Sequence, residues 1–247
     1  MTPNTWYDSW FESPWYVKLY KHRTTAEAEN AVQIVKGLSG LQEGSKILDL
    51  CCGFGRHSLA LAECGFTVTG LDASTHLINR ATEMFAHPNV DYVVGDMRGP
   101  YPENNFDAIV NFFTSFGYFD SNEENAKVIQ TVSNHLKPGG LFLLDFLNEH
   151  LVRNSLVPES MSFIEGVTII EERSINGNFV EKKITVNNPC SFEQEFHERV
   201  WLYTRDELVA MVQQCGFEIL SVLGGYNAEP FVKETSPRCI VVAKKKQ

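Results

Sequence analysis

The stretch KILDLCCGFGRHSLALAECGFTVTGLDA, residues 46–73, holds a strand, a glycine turn, a helix and a second strand ending on an acid. Ile47-Leu48-Asp49-Leu50 is an apolar run of strand length. It stops at Cys51-Cys52-Gly53-Phe54-Gly55, where two glycines permit torsions and close approaches that a side chain would block. From Arg56 to Cys64 apolar residues recur at helical spacing, and Gly65 closes the run. Thr67 to Leu71 is a second apolar strand, ending on Asp72. A unit of this kind holds an adenosine nucleoside at the carboxyl edge of a parallel sheet. Asp72 lies roughly 20 residues beyond Gly53, where an acid meets ribose hydroxyls.

On either side, the chain repeats the alternation. Residues 6–20, WYDSWFESPWYVKLY, read as a helix pair broken near Pro14, packing aromatics on the core or covering a ligand pocket with the polar tips of Tyr16, Tyr20 and Arg23. Thr24 or Thr25 caps the next helix, with Glu27 in its first turn. After residue 73, Ser74 caps a helix, Val90 to Val94 is a third strand and Phe106 to Asn111 a fourth. A helix from about Glu123 to Leu136 is stopped by Lys137-Pro138-Gly139-Gly140, and Leu141 to Leu144 is a fifth strand, apolar as expected with both faces covered. This is an α/β chain with a doubly wound, mostly parallel sheet.

The pattern changes beyond residue 150. Phe163 to Ser174, Phe179 to Val186 and Gln194 to Tyr203 read as an antiparallel insertion of about three strands, with Asn176-Gly177 as a hairpin turn. Thr204-Arg205-Asp206-Glu207 opens a last helix as a capping box, and Phe217 to Leu223 and Arg238 to Ala243 close a seven-stranded sheet. The expected organisation is a single domain over residues 1–247: a helical lid (1–40), a core (41–150), the insertion (151–203) and a closing helix with two strands (204–247).

Composition narrows the function. At 247 residues with 43% hydrophobic content, the chain buries a sizeable core. A formal charge of −10 argues against nucleic acid as a partner, and Lys244-Lys245-Lys246 reads as a solvated tail. No basic segment followed by an apolar one opens the chain, and no run has the length of a membrane span. The six cysteines, at 51, 52, 64, 190, 215 and 239, show no C-x-x-C pairing, so buried thiols of a cytoplasmic protein are expected and a zinc site is not.

The glycine segment fits no dinucleotide fingerprint, because Ser58 stands where G-x-G-x-x-G needs its third glycine, and no G-K-[ST] follows to make a P-loop. The Asp49 carboxylate opposes a pyrophosphate and suits an ammonium or sulfonium group. Asp49-Leu50-Cys51-Cys52-Gly53-Phe54-Gly55 resembles the D-x-G-x-G-x-G motif of class I S-adenosylmethionine-dependent methyltransferases, with Cys51 in place of the first glycine. Asp72 falls on that family's ribose acid, Asp96-Met97 on its adenine-contacting pair and Lys137-Pro138-Gly139-Gly140 on the turn before its fifth strand. The tyrosine-rich N-terminus, Arg98 after Asp96-Met97 and Phe113-Thr114-Ser115-Phe116-Gly117-Tyr118 are similar in layout to sugar-amine and small-molecule N-methyltransferases, in which a His commonly occupies the place of Tyr118.

The resemblance implies a Rossmann-like methyltransferase fold, S-adenosyl-L-methionine as cofactor with S-adenosyl-L-homocysteine as product, and no metal. It implies a cofactor site of Tyr20, Arg23, Asp49, Cys51, Gly53, Gly55, Asp72, Ala73, Asp96, Met97 and Asn111. Asp49 then favours the cationic methionine end, Asn111 faces the methionyl group and Arg23 pairs with its carboxylate. Tyr16, Tyr118 and Tyr226 are expected to orient a small-molecule acceptor, Tyr118 first as the catalytic candidate, whereas His57 reads as a surface or capping residue. Amine acceptors are favoured over hydroxyl acceptors, and a homodimer is possible. An NAD-dependent oxidoreductase and a non-catalytic S-adenosylmethionine-binding module are the alternatives.

Overall fold

The computed structural model describes residues 5–189 and 192–247, so Cys190 lies outside the described residues. Helices α1 (Trp6–Phe11), α2 (Pro14–Leu19) and α3 (Thr25–Lys36) lead into β1 (Lys46–Leu50), α4 (Arg56–Glu63), β2 (Thr67–Asp72), α5 (Thr75–Met84) and β3 (Val90–Val94). The chain continues through β4 (Phe106–Asn111), α6 (Asn122–His135), β5 (Leu136–Leu147) and α7 (Glu149–Ser155). Four further strands follow: β6 (Glu159–Ile164), β7 (Val167–Asn176), β8 (Phe179–Asn187) and β9 (Gln194–Trp201). Helix α8 (Arg205–Gln214), β10 (Phe217–Leu223) and β11 (Arg238–Lys245) complete it.

Seven strands form one sheet in the order β3-β2-β1-β4-β5-β11-β10. The first five are parallel, and β11 runs antiparallel to both neighbours. Strand alternation supplies two cores. On one face Leu48, Ile109, Phe142 and Val241 pack against α6 and α8; on the other Ile47, Val68, Val110 and Val242 pack against α3 and α4. A one-residue slip would exchange the two sets, and each fully buried aliphatic side chain is worth about 1.5–3 kcal/mol, so the register is strongly held. Chain order reverses between β1 and β4, which leaves a crevice at their carboxyl ends, the place where such sheets bind ligands.

The second sheet runs β6-β7-β8-β9, all antiparallel. Its inner face carries Val167, Ile169, Ile184 and Val186, and these pack on Trp10, Leu19 and Tyr20 of the N-terminal segment. Pro14 sits in the first turn of α2, where its missing N–H costs nothing, and Ser13 caps that helix through Trp15 N. Trp10 Nε1 and the Tyr20 hydroxyl both donate to Glu198 on β9, at 2.7 and 2.6 Å, which ties the helix pair to this sheet. The pair therefore roofs the crevice from the second sheet.

The expectation of three inserted strands is corrected to four. Glu165 and Gly166, both at positive φ, turn the chain between β6 and β7 within what reads as one alternating run. The Lys137-Pro138-Gly139-Gly140 segment is not a free turn: it lies inside β5, where register against β4 jumps from Phe106–Leu136 to Ala108–Leu141. Helix α7 spans the expected boundary at residue 150, and Lys244 and Lys245 belong to β11 instead of a solvated tail. Among the described residues no helix is long and apolar enough to cross a membrane.

Candidate active site

The turn after β1 is held by one acid. Cys51 (φ +64°), Gly53 (φ +58°) and Gly55 (φ +91°) all take left-handed torsions. A β-carbon on Gly55 would sit 2.5 Å from the Tyr92 hydroxyl, so that position needs glycine twice over. Cys51 carries the torsion without that freedom, at a cost of about 1–2 kcal/mol. Gly53 N–H donates to Asp72 Oδ2 at 2.9 Å and Ser74 N–H to Asp72 Oδ1 at 2.9 Å. The acid at the end of β2 thus braces the glycine turn and starts α5. Burial pushes the Asp72 pKa up, while these backbone bonds oppose the rise. Each oxygen keeps a lone pair for a further donor.

Two adjoining cavities lie at the carboxyl ends of β1 to β4. The first, about 600 Å³ with its mouth, is lined by Cys51, Gly53, Asp72, Ala73, Asp96 and Met97 from the sheet edge, and closed by Tyr7, Phe11 and Phe119. Asp96 is gripped by Arg98, whose Nη2 stands 2.6 Å from Oδ2, and its pKa is lowered by those Arg98 contacts against the effect of burial. The second cavity, about 1030 Å³ with its mouth, lies under the roof between the two sheets. Phe11, Tyr16, Ser115 and Tyr118 border both. At that junction Tyr118 packs against Trp6 (5.2 Å between centroids) and Phe11 (5.9 Å), and Phe11 against Tyr16 (5.0 Å).

A methyltransferase-domain family model matches residues 47–140, the glycine turn through the start of β5. Residues 47–140 are a methyltransferase domain. Over 205 residues it is 27% identical to a cypemycin N-terminal methyltransferase of Streptomyces sp., covering 81% of this chain and 83% of that one. Over 120 residues it is 30% identical to dTDP-3-amino-3,4,6-trideoxy-alpha-D-glucopyranose N,N-dimethyltransferase of Streptomyces venezuelae, covering 49% of each. In fold it is similar to an S-adenosylmethionine-dependent methyltransferase from Clostridium acetobutylicum ATCC 824, with TM-score 0.78, 21% identity, and 94% and 96% of the two chains covered. The dehydrogenase alternative falls away with the domain match.

Within the methyltransferase, the sequence-expected residues separate into lining and framework. Cys51, Gly53, Asp72, Ala73, Asp96 and Met97 line the first cavity, Tyr16 and Tyr118 line both, and Tyr20 and Arg23 line the second. Arg23 lies against two aromatic rings, with its guanidinium 3.7 Å from the Tyr20 centroid and 4.9 Å from that of Phe113. No carboxylate among the described residues pairs with it within salt-bridge distance. Burial would lower its pKa, but Tyr16, Tyr20 and Glu198 outweigh that and raise it.

Five of the expected residues are placed differently. Asp49 does not line either cavity: it is buried beneath the turn, accepts from Ser58 Oγ at 2.6 Å, and burial raises its pKa to about 7. Asn111 is also framework, donating to Leu50 O at 2.8 Å and Ser115 O at 3.3 Å. Tyr226 lines neither cavity: its hydroxyl donates to the fully buried Asp145 at 2.6 Å, behind Arg238 and Phe113 of the second. His57 is neither a surface nor a capping residue; it is buried, stacks 4.6 Å from Phe112, and burial lowers its pKa to about 3. Tyr20 lines a cavity, but its hydroxyl is committed to Glu198 and Lys182. Gly55 serves the backbone and Tyr92, not the lining.

Sequence reading missed the strand charges that face inward. Arg173, Lys182 and Glu198 all line the second cavity. Each occupies the buried phase of its strand: Lys182 alternates with Val180 and Ile184, and Glu198 with Phe196 and Val200. A charge in the apolar phase of an alternating strand was the available signal.

Proposed function

We propose that this methyltransferase transfers the methyl group of S-adenosyl-L-methionine to an amine of a small molecule held in the second cavity. The junction of the two cavities at Tyr118 carries the reading, since it is where a donor in the first would meet an acceptor in the second. S-adenosylmethionine, when bound, supplies a methyl group on a sulfonium, a leaving group that needs no enzyme nucleophile.

The residues fit that ligand. Asp72 has lone pairs left for ribose hydroxyls, Asp96 and Met97 offer an acid and a thioether to the adenine, and Arg23 has a guanidinium with no protein carboxylate on it. Trp6, Phe11, Tyr16 and Tyr118 surround the junction with aromatic faces, which attract a cation by about 0.5–2 kcal/mol each when desolvated. Alignment and exclusion of water under the helix-pair roof then do most of the catalysis, with effective concentration worth up to about 7–11 kcal/mol.

The state of the acids and phenols favours nitrogen over oxygen. A hydroxyl acceptor needs a base, whereas a neutral amine needs only its lone pair aimed. Burial pushes the phenols of Tyr16, Tyr20 and Tyr118 above their usual pKa, so they stay protonated near neutrality. Glu198 is saturated: Oε1 accepts from Trp10 and Tyr20, and Oε2 meets Lys182 at 2.7 Å. The relative named as an N,N-dimethyltransferase points the same way. Incubation with methyl-labelled S-adenosylmethionine and a metabolite extract should put label on a small amine; label confined to oxygen, protein or nucleic acid would reject the reading.

A further inference from the structure

We propose that Arg173 and Arg238 form an oxyanion anchor at the outer end of the acceptor cavity, and that the acceptor is an amine that also bears a carboxylate or phosphate. This rests on the methyl-transfer reading. Both arginines line the inner cavity and also a surface groove walled by α7, which sets the two guanidinium groups between that groove and the cavity that reaches Tyr118.

Their hydrogen bonding leaves them able to receive an anion. Asp145 Oδ1 accepts from Arg238 Nε at 2.8 Å, and Thr114 Oγ1 accepts from its Nη2 at 2.8 Å. Arg238 Nη1 has no partner among the described residues. Arg173 Nη2 meets Glu171 Oε1 at 2.9 Å and its Nη1 donates to Ser160 Oγ at 2.9 Å. Neither Asp145 nor Glu171 lines the cavity. Asp145 and Glu171 fix the orientation of the two guanidinium groups, and Arg238 Nη1 is left for a ligand.

The charge distribution points the same way. In a chain of net charge −10, this cavity is lined by Arg23, Arg173, Lys182 and Arg238 against one carboxylate, Glu198, already saturated by its three donors. A low-dielectric cleft of one sign focuses the field on ligands of the other. With Arg23 at the inner end proposed for the methionyl carboxylate, the outer pair is left for the acceptor. Val152 and Leu156 stand beside both arginines and suit an apolar stretch between the amine and the anion. Guanidinium groups match carboxylate and phosphate through two parallel hydrogen bonds, so the shared chemistry is an oxyanion.

The test titrates acetate and inorganic phosphate, at ionic strength balanced with chloride, into protein saturated with S-adenosylhomocysteine. We expect saturable binding of at least one anion, weakened tenfold or more in Arg173→Gln and in Arg238→Lys, with S-adenosylhomocysteine affinity within twofold of wild type. Tighter acetate assigns a carboxylate-bearing acceptor, and tighter phosphate a phosphorylated one. No saturable binding of either anion to the wild type, or wild-type binding by Arg173→Gln, overturns the anchor. Arg173→Gln leaves Glu171 within 3.4 Å of Lys182, so that variant decides the matter should Arg238→Lys not fold. Should the wild type not bind S-adenosylhomocysteine, the methyl-transfer reading fails. The same anion comparison in free Arg23→Gln protein then still decides the anchor.

Discussion

Asp72 links the glycine turn to the ligand edge of the sheet through two backbone hydrogen bonds, one from Gly53 and one from Ser74. Asn at this position keeps one acceptor and turns an NH2 toward the other N–H. Loss of a bond to a charged acceptor is worth about 1.5–3 kcal/mol. Asp72→Asn should therefore weaken S-adenosylhomocysteine binding at least tenfold, measured by calorimetric titration. Asp49 carries a pH dependence instead. Its pKa is raised to about 7 when folded and lies near 3.9 in an unfolded chain. Between those values the folded state holds the extra proton, so stability falls as pH rises from about 4 to 7 and then levels. Urea denaturation should show the wild type losing a few kcal/mol relative to Asp49→Asn between pH 5 and pH 8, at about 1.4 kcal/mol per pKa unit. Equal slopes for both proteins would contradict it. Tyr118, whose hydroxyl donates to Thr114 O at 3.1 Å at the cavity junction, should on change to Phe lower turnover well over tenfold with little change in cofactor affinity. At this scale, legibility divided by which way a side chain faces. Asp72 ends β2 and Asp96 follows β3 by two residues, where both could be read, but Asp49, inside β1, faces α4 and Ser58, and the motif alone does not disclose that.

The helix pair α1–α2 and strand β9 are joined by one carboxylate. Burial would raise the Glu198 pKa, but Lys182 and the hydrogen bonds from Tyr20 and Trp10 outweigh it and hold it below the usual range. Removing one partner of such a buried set leaves the others uncompensated, at about 3–5 kcal/mol. Glu198→Ala should lose that much stability in urea unfolding and open the roof, seen as faster proteolysis within residues 5–23. An unchanged cleavage rate would show that the roof is held by Trp10 packing alone. The elements themselves were largely readable: Val90–Val94, Phe106–Asn111 and Phe217–Leu223 stand where their apolar runs place them. In the second sheet β7, β8 and β9 were readable too, but β6 was not, because Glu165-Gly166 makes a two-residue turn inside a continuous alternation. Helix α7 buries none of its residues and so leaves little apolar periodicity to read.

At the scale of the whole molecule, a parallel sheet fixes the first cavity and the second sheet, with the helix pair, fixes the other. The first half was legible because its landmarks follow one another in sequence: glycine turn, Asp72, Asp96-Met97. Of the second cavity Tyr16, Tyr20, Arg23 and Tyr118 were named in advance, but Arg173, Lys182 and Arg238 were not, because they stand on three separate strands and meet only through tertiary packing. The central claim is that the turn, Asp72 and Arg23 together hold S-adenosylmethionine. The direct measurement is a calorimetric titration of the wild type and Arg23→Gln with S-adenosylhomocysteine and with NAD. One equivalent of S-adenosylhomocysteine should bind the wild type, at least tenfold more weakly to Arg23→Gln, and NAD should give no binding heat. Absence of S-adenosylhomocysteine binding to the folded wild type, or equal affinity in the two proteins, would contradict it.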